Sequence, residues 1–301
     1  MRPRPPLWPV LLLAGLGACG ADAPEPRAAP TPTVSAAPAP TTSATAPTSA
    51  PTVPGAPAVL PPPTGVVADY QLGGAYPPAA DVRVVSRDRT AEPVPGVYSI
   101  CYVNAFQTQP DENGYWFAQH PDLLLHDARG ALVEDDGWPG EYLLDTSTPE
   151  KRAALAGIVG GWVDGCADAG FQAVEPDNLD SATRSGDLLT MDDAYAFATL
   201  LAERAHARGL AIAQKNAPGT SAAQARAVGF DFAVAESCQV YAECADYTAV
   251  HGDHVIEVEY SDDGPENFQA ACAARGSRIS VVYRDRNLLA RGVPGYEFDR
   301  C

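Results

Sequence analysis

The chain is poor in basic residues. In 301 residues, 20 Lys and Arg stand against 38 Asp and Glu, a formal net charge of −18. Nucleic-acid binding depends on basic patches that release counterions from phosphates, so this chain repels polyanions and suits a cationic partner better. Long apolar runs are missing too. After residue 20 none approaches the roughly 20 residues that span a bilayer as a helix, which excludes a chain crossing a membrane repeatedly in that form. No Cys-x-x-Cys pair occurs and no histidine stands at ligand spacing beside a cysteine, so no metal site is expected. None of the five histidines falls at the end of an expected strand with a carboxylate partner, which leaves no basis for a Ser/His/Asp triad. The turn Gly73-Gly74-Ala75-Tyr76 lacks the third glycine and the following helix of a dinucleotide site, and no cofactor is expected.

Proline is scarce only in the second part of the chain: 17 of the 29 prolines lie at or before Pro63. The start combines Arg2 and Arg4, an apolar stretch from Leu7 to Leu16, and Leu16-Gly17-Ala18-Cys19. A basic start, a short apolar core and small residues before a cleavage point describe an export signal. The box before Cys19 resembles that of bacterial lipoproteins. Residues 1–19 are therefore expected to be a signal ending at a lipidated Cys19. That places the protein outside the cytoplasm, attached to the bacterial membrane through the lipid anchor only. Residues 20–65, almost wholly Ala, Pro, Thr and Ser, cannot bury enough apolar surface to offset chain entropy and are expected to form a disordered linker. Residues 66–301 form one domain, expected to be a monomer, with 17 basic and 36 acidic residues. It holds six cysteines, an even number suited to an oxidising compartment. Cys238 and Cys244 are near enough in sequence to clip a local loop. Cys301 pins the terminus, with Cys272 the nearest partner, which leaves Cys101 with Cys166.

Eight apolar or β-branched runs bounded by turn residues predict strands over 68–73, 82–87, 98–104, 171–177, 210–216, 230–236, 254–260 and 278–284. Helices are expected over 148–169, 190–208, 221–228 and 265–274, opened by Thr148-Pro149, Thr190-Met191-Asp192-Asp193 and Ser221 and followed by Gly170, Gly209, Gly229 and Gly276. Buried strands alternating with helices imply parallel pairing. Eight of them in about 236 residues imply a (β/α)8 TIM barrel, typically near 250 residues, preferred over an open doubly wound sheet. Its links after the first two strands are too short for ordinary helices. The stretch 105–147 reads as one long loop without pattern, forming a cleft wall.

In such a barrel chemistry sits at the C-terminal strand ends. There the sequence places Gln71, Tyr102, Glu175, Asp177, Asn178, Lys215, Asn216, Glu236, Glu259, Tyr260 and, just beyond the fourth strand, Asp180. Unpaired charges are costly in a packed barrel, so carboxylates at the ends of strands four, six and seven carry information. Alternation along the strand turns Glu175 and Asp177 to one side. With Glu236 ending another strand, two opposed carboxylates share the mouth, which is what glycoside hydrolysis requires. Tyr70, Tyr102, Trp116, Trp138 and Tyr260 are candidate sugar platforms, Trp138 in its acidic Gly/Pro loop foremost. Lys215 is expected to pair with Asp177 or Glu175.

The residues Asp69-Tyr70-Gln71, Cys101-Tyr102, Gly137-Trp138-Pro139-Gly140-Glu141, Glu175-Pro176-Asp177-Asn178-Leu179-Asp180, Lys215-Asn216, Glu236 with Cys238 and Cys244, and Val258-Glu259-Tyr260 together resemble glycoside hydrolase family 114. That family comprises TIM-barrel endo-α-1,4-polygalactosaminidases. The resemblance implies hydrolysis within chains of α-1,4-linked galactosamine, a cationic polysaccharide, by two acidic residues. By position these are Asp177 as nucleophile and Glu236 as acid/base, with Glu175, Asp180 and Glu259 as further candidates, and the mechanism expected is retaining. The alternative is a barrel that keeps the cleft and binds polysaccharide without turnover. Two features depart from the family pattern: the helix between strands two and three is lost, and Ser237 stands where a second acidic residue often follows the glutamate.

Overall fold

The computed structural model of the protein describes residues 58–301. The expected signal, its Cys19 and the linker as far as residue 57 lie outside the described residues. Residues just before the expected boundary at 66 already touch the barrel. The Tyr98 hydroxyl donates to the Leu60 carbonyl at 2.7 Å, His254 Nδ1 lies 3.1 Å from the Pro62 carbonyl, and Val59 packs on the barrel core.

The eight expected strands are all present: β1 (Ala68–Gln71), β2 (Val84–Asp88), β3 (Tyr98–Asn104), β4 (Ala173–Asp177), β5 (Ala211–Lys215), β6 (Phe232–Glu236), β7 (Val255–Tyr260) and β8 (Ser280–Arg284). Each pairs in parallel with the next. A ninth, β9 (Phe298–Arg300), runs antiparallel to β8 and was not expected, because three residues of the form Phe-Asp-Arg carry no strand signal of their own. The chain is a TIM barrel. No ladder joins β8 to β1; the seam is closed by packing and by a parallel bridge from Gly73 to Leu289. Glycine is required there, since a Cβ at Gly73 would stand 2.6 Å from the carbonyl oxygens of Asn287 and Leu288.

Strand alternation sorts two cores. Tyr70, Val84, Ile100, Phe232, Val234, Val258 and Val282 fill the barrel interior. Val103, Val174 and Ile212 turn outward onto α2 (Pro149–Ala169) and α3 (Met191–Ala207), where Leu155, Val159, Phe197 and Leu201 meet them. Local rules set the helix limits. Thr148 caps α2, whose first residue is Pro149, and Gly170 ends it at φ 97°, a backbone region that a side chain would oppose. Thr190 with Asp193, and Ser221 with Gln224, form capping boxes on α3 and α4 (Ala222–Val228). The links after β1 and β2 carry no helix.

The stretch 105–147 differs from the loop expected. It contains α1 (Asn113–Gln119), two short 3-10 turns, and bridges such as Gln107 to Leu143 and Leu124 to Leu144. Single buried anchors organise it: Trp116, fully buried and edge-on to Trp162, and Leu123 to Leu125 against Leu143 and Leu144. Trp116 is therefore core and not a sugar platform. Two further short helices, α5 (Cys238–Tyr241) and α6 (Cys244–His251), flank the Cys238–Cys244 bridge, and α7 (Pro265–Arg275) precedes β8. Cys101 is bonded to Cys166, joining β3 to α2, and Cys272 to Cys301.

Candidate active site

The C-terminal mouth of the barrel opens into a cleft of about 450 Å³ lined by Tyr102, Trp138, Asp177, Lys215, Glu236 and Tyr260, among others. Its floor is organised by one cation. Lys215, the last residue of β5, is 1% exposed, and its Nζ lies 2.9 Å from Asp177 Oδ1, 3.2 Å from Glu236 Oε2 and 3.3 Å from Glu175 Oε1. Burial alone would strip the proton from this lysine, but the three carboxylates hold its pKa well above the ordinary value. The sequence paired Lys215 with Asp177 or Glu175; the structure adds Glu236, because neighbouring parallel strands bring their inward-facing last residues around one point.

Each carboxylate has a different setting. Asp177 accepts from the Tyr102 hydroxyl at 2.7 Å, from Lys215 and from the Asn178 backbone N–H at 2.7 Å. Burial pushes its carboxyl up, yet the ammonium and these donors win and hold it below the usual value, so Asp177 is ionised. Glu236 accepts from the Tyr260 hydroxyl and from Asn216 Nδ2 at 3.0 Å, while the Asn216 side-chain oxygen takes the Glu236 backbone N–H at 2.9 Å. Asn216 thus fixes both ends of Glu236. Glu175 lies beneath the floor, bonded to Tyr70 and the lysine, and burial raises its pKa to about 7. It belongs to the foundation of the site and does not line the cleft.

The other expected residues divide. Tyr102, Trp138, Asn178, Asp180, Asn216 and Tyr260 line the cleft, Trp138 being 53% exposed and free to stack. Asn178, with φ 68°, bridges Asn104 and Arg184, and Asp180 pairs with Arg184 Nη1 at 2.9 Å. Gln71 does not reach the main cleft. It is buried between Asp69 and Arg87 in a polar network that also holds Tyr76. Glu259 faces away from the mouth: the parity that turns Tyr260 inward turns Glu257 and Glu259 outward, toward the Cys238–Cys244 bridge and α7. Burial lifts Glu259 to about 7. The same parity, applied along β7, would have separated Glu259 from Tyr260 in the sequence. Ser237, at φ 53°, donates to Asp263 at 2.9 Å and offers nothing to the cleft floor.

Asp135, Glu141 and Arg184 join the site although the sequence does not assign them to it. Arg184 bonds Asp135, Asn178 and Asp180, and Asn104 donates to Glu141 at 2.9 Å. For Glu141 a signal existed, since it closes the Gly137-to-Glu141 motif. As for metal, Cys238, Cys244, Glu257 and Glu259 come within 4.8 Å of one another. The cysteines are spent on their disulfide and Glu257 on Arg275, so this donor set does not suit an ion. Asp177 and Asp180 likewise already hold Lys215 and Arg184.

This geometry can be set beside known proteins. The family model described as glycoside-hydrolase family GH114 matches residues 49–301. No curated protein sequence matches the chain. Among solved structures, Aspergillus fumigatus Ega3, in complex with galactosamine, superposes with a TM-score of 0.63 at 25% identity, over 83% of this chain and 99% of that one. The glycoside hydrolase domain of PelA from Pseudomonas aeruginosa superposes with a TM-score of 0.52 at 13% identity, over 75% of this chain and 97% of that one, a likeness of fold.

Proposed function

The chain belongs to glycoside-hydrolase family GH114 and is a glycoside hydrolase, and from that premise we propose that it cleaves within chains of α-1,4-linked, galactosamine-rich polysaccharide with retention of configuration. The observation that carries the mechanism is the shared ammonium. Asp177 Oδ1 and Glu236 Oε2 both touch Lys215 Nζ, at 2.9 and 3.2 Å. These oxygens can therefore be no more than about 6 Å apart, close to the roughly 5–5.5 Å of retaining enzymes and short of the roughly 6.5–9.5 Å that an inverting water needs.

In this reading Asp177, ionised and fixed by Tyr102 and Lys215, attacks the anomeric carbon. Glu236 gives its proton to the departing glycosidic oxygen. The resulting glycosyl ester of Asp177 is then attacked by water, which yields its proton to Glu236, and the carboxylate of Asp177 is restored. The complex of Ega3 with galactosamine and the acidic excess of the domain support an amino-sugar substrate. The test is incubation of the full chain with an α-1,4-galactosamine polymer and, in parallel, with chitosan. Oligosaccharides of galactosamine are expected by mass spectrometry, with the α-anomer first by NMR. Saturable binding without products would make the protein a binding module instead, and a first-formed β-anomer would overturn retention.

We place the domain outside the cytoplasm, as a monomer held at the membrane by a lipid on Cys19 through the linker. The box at Leu16 to Cys19 and the three disulfides support this. Expressed in a bacterium, Cys19→Ser is expected to move the protein from the membrane fraction to the soluble one; equal membrane retention would refute the anchor.

A further inference from the structure

Six carboxylates line the cleft, and four already face a cation of the protein's own: Asp177 and Glu236 share Lys215, and Asp135 and Asp180 share Arg184. The fifth, Asp88, turns Oδ1 back onto the N–H and hydroxyl of Thr90 at 2.8 and 2.6 Å. Glu141 is different. Its Oε2 accepts one bond, from Asn104 Nδ2 at 2.9 Å, and among the described residues no Lys, Arg or His lies within 4 Å of it. The backbone holds it in place: Glu141 N–H donates to the Trp138 carbonyl at 3.0 Å, and its carbonyl accepts from Asp135 N–H at 2.9 Å. Asn104 pairs in register with Asp177 across β3 and β4, so Glu141 flanks the nucleophile. Burial, with Asp177 and Asp135 adding negative charge nearby, outweighs the Asn104 bond and the more distant Arg184, and its carboxyl is pushed up to about 7. A carboxylate so placed has no ion-pair partner in direct contact, and the substrate can bring one.

We propose that Glu141 is the residue that selects the amino sugar, its carboxylate binding the ammonium of the galactosamine unit seated beside Asp177 and so favouring deacetylated over N-acetylated chains. This rests on the function proposed above and assigns a part of its specificity. An acetamido group carries no charge, so it forms no ion pair with Glu141, and its acetyl group must also fit beside Trp138 and Asn104.

Glu141→Gln keeps the volume and an oxygen for Asn104, so the unfolding midpoint is expected to stay unchanged. The full chain is tested for binding of galactosamine oligosaccharides by calorimetry and for turnover of deacetylated and N-acetylated chains. Loss of one charge-assisted contact is expected to weaken galactosamine binding and raise KM about tenfold, with kcat altered less than about threefold. The preference over acetylated chains should fall by the same factor, and Glu141→Asp should restore part of it. Asp136→Asn, an equal change of charge at a residue outside the cleft lining, should leave KM within about twofold. Equal affinity in wild type and Glu141→Gln would overturn the proposal, as would an equal rise in KM from Asp136→Asn. Binding that depends on Glu141 without any product would instead uphold it and overturn the catalytic reading.

Discussion

Asp177→Asn is expected to lower kcat on galactosamine polymer by about 10³-fold or more, equivalent to some 4 kcal/mol of transition-state stabilisation, with the fold intact. The asparagine keeps its contact with Tyr102, and Lys215 retains Glu175 and Glu236 as partners. What is lost is the charge that attacks the anomeric carbon. The companion change, Glu236→Gln, removes the proton donor and is expected to cost about 10²- to 10⁴-fold. The two differ in a way that separates their roles. An activated aryl glycoside needs little protonation of its leaving group, so Glu236→Gln should recover most of kcat/KM and release the aryl alcohol in a burst, with hydrolysis of the glycosyl ester, now without its base, limiting turnover; Asp177→Asn should show neither. Azide added to Asp177→Ala should enter the space left by the carboxylate and give a glycosyl azide of inverted configuration. Full activity in either the Asn or the Gln variant, or rescue in the opposite pattern, would remove that residue from its role.

Removal of the cation beneath this pair has the largest expected effect on stability. Lys215→Met keeps the side-chain length and leaves Glu175, Asp177 and Glu236 without their ammonium. Breaking a buried ion pair by deleting one partner costs about 3–5 kcal/mol, or a fall in melting temperature of roughly 10 °C for a domain of this size. The pH dependence follows from the carboxylates. In the native protein Asp177 is held below its ordinary pKa, so its contribution is present above the unfolded value and is lost as pH falls through the lower folded one. Without Lys215 the folded pKa of Asp177 must rise and that of Glu175, already about 7, must rise further. Both carboxyls then favour the folded state when protonated. Lys215→Met should therefore gain stability between pH 7.5 and pH 5 in urea titrations, narrowing its gap to the wild type. A gap that stays constant, or widens toward acid, would show that the lysine is not their counter-ion.

Much of the architecture was legible in the chain because β1 to β8 are buried on both faces. Those such as β4, β5 and β6 read as short apolar runs ending in a charge, with Gly170, Gly209 and Gly229 marking where they begin, whereas β1 and β2 also bury Asp69, Gln71 and Arg87. The catalytic floor was legible for a related reason: a charge inside such a run is expensive, so Glu175, Lys215 and Glu236 declared themselves. What was hidden depends on contacts distant in sequence. Nothing local says that Trp116 will be fully buried and meet Trp162 of α2 edge-on, or that Phe298 to Arg300 will find an edge on β8. The Glu141 carboxylate is tied to the site by Asn104, 37 residues away. Glu259 shows the opposite failing, since simple strand parity already turned it from the mouth that Tyr260 faces.

The order of the sheet has a kinetic side. Every ladder from β1 to β9 joins elements that are neighbours along the chain, so each closes a loop of limited length and entropy cost rises only slowly as strands are added. Among the described residues, the packing of β1 on β8 spans nearly the whole domain, and it has no ladder to secure it. The search for distant partners is thereby deferred to a single closing event, in which Gly73 comes against Asn287 and Leu288. The barrel can be built strand by strand, with the join between its first and last staves left as the step of highest contact order.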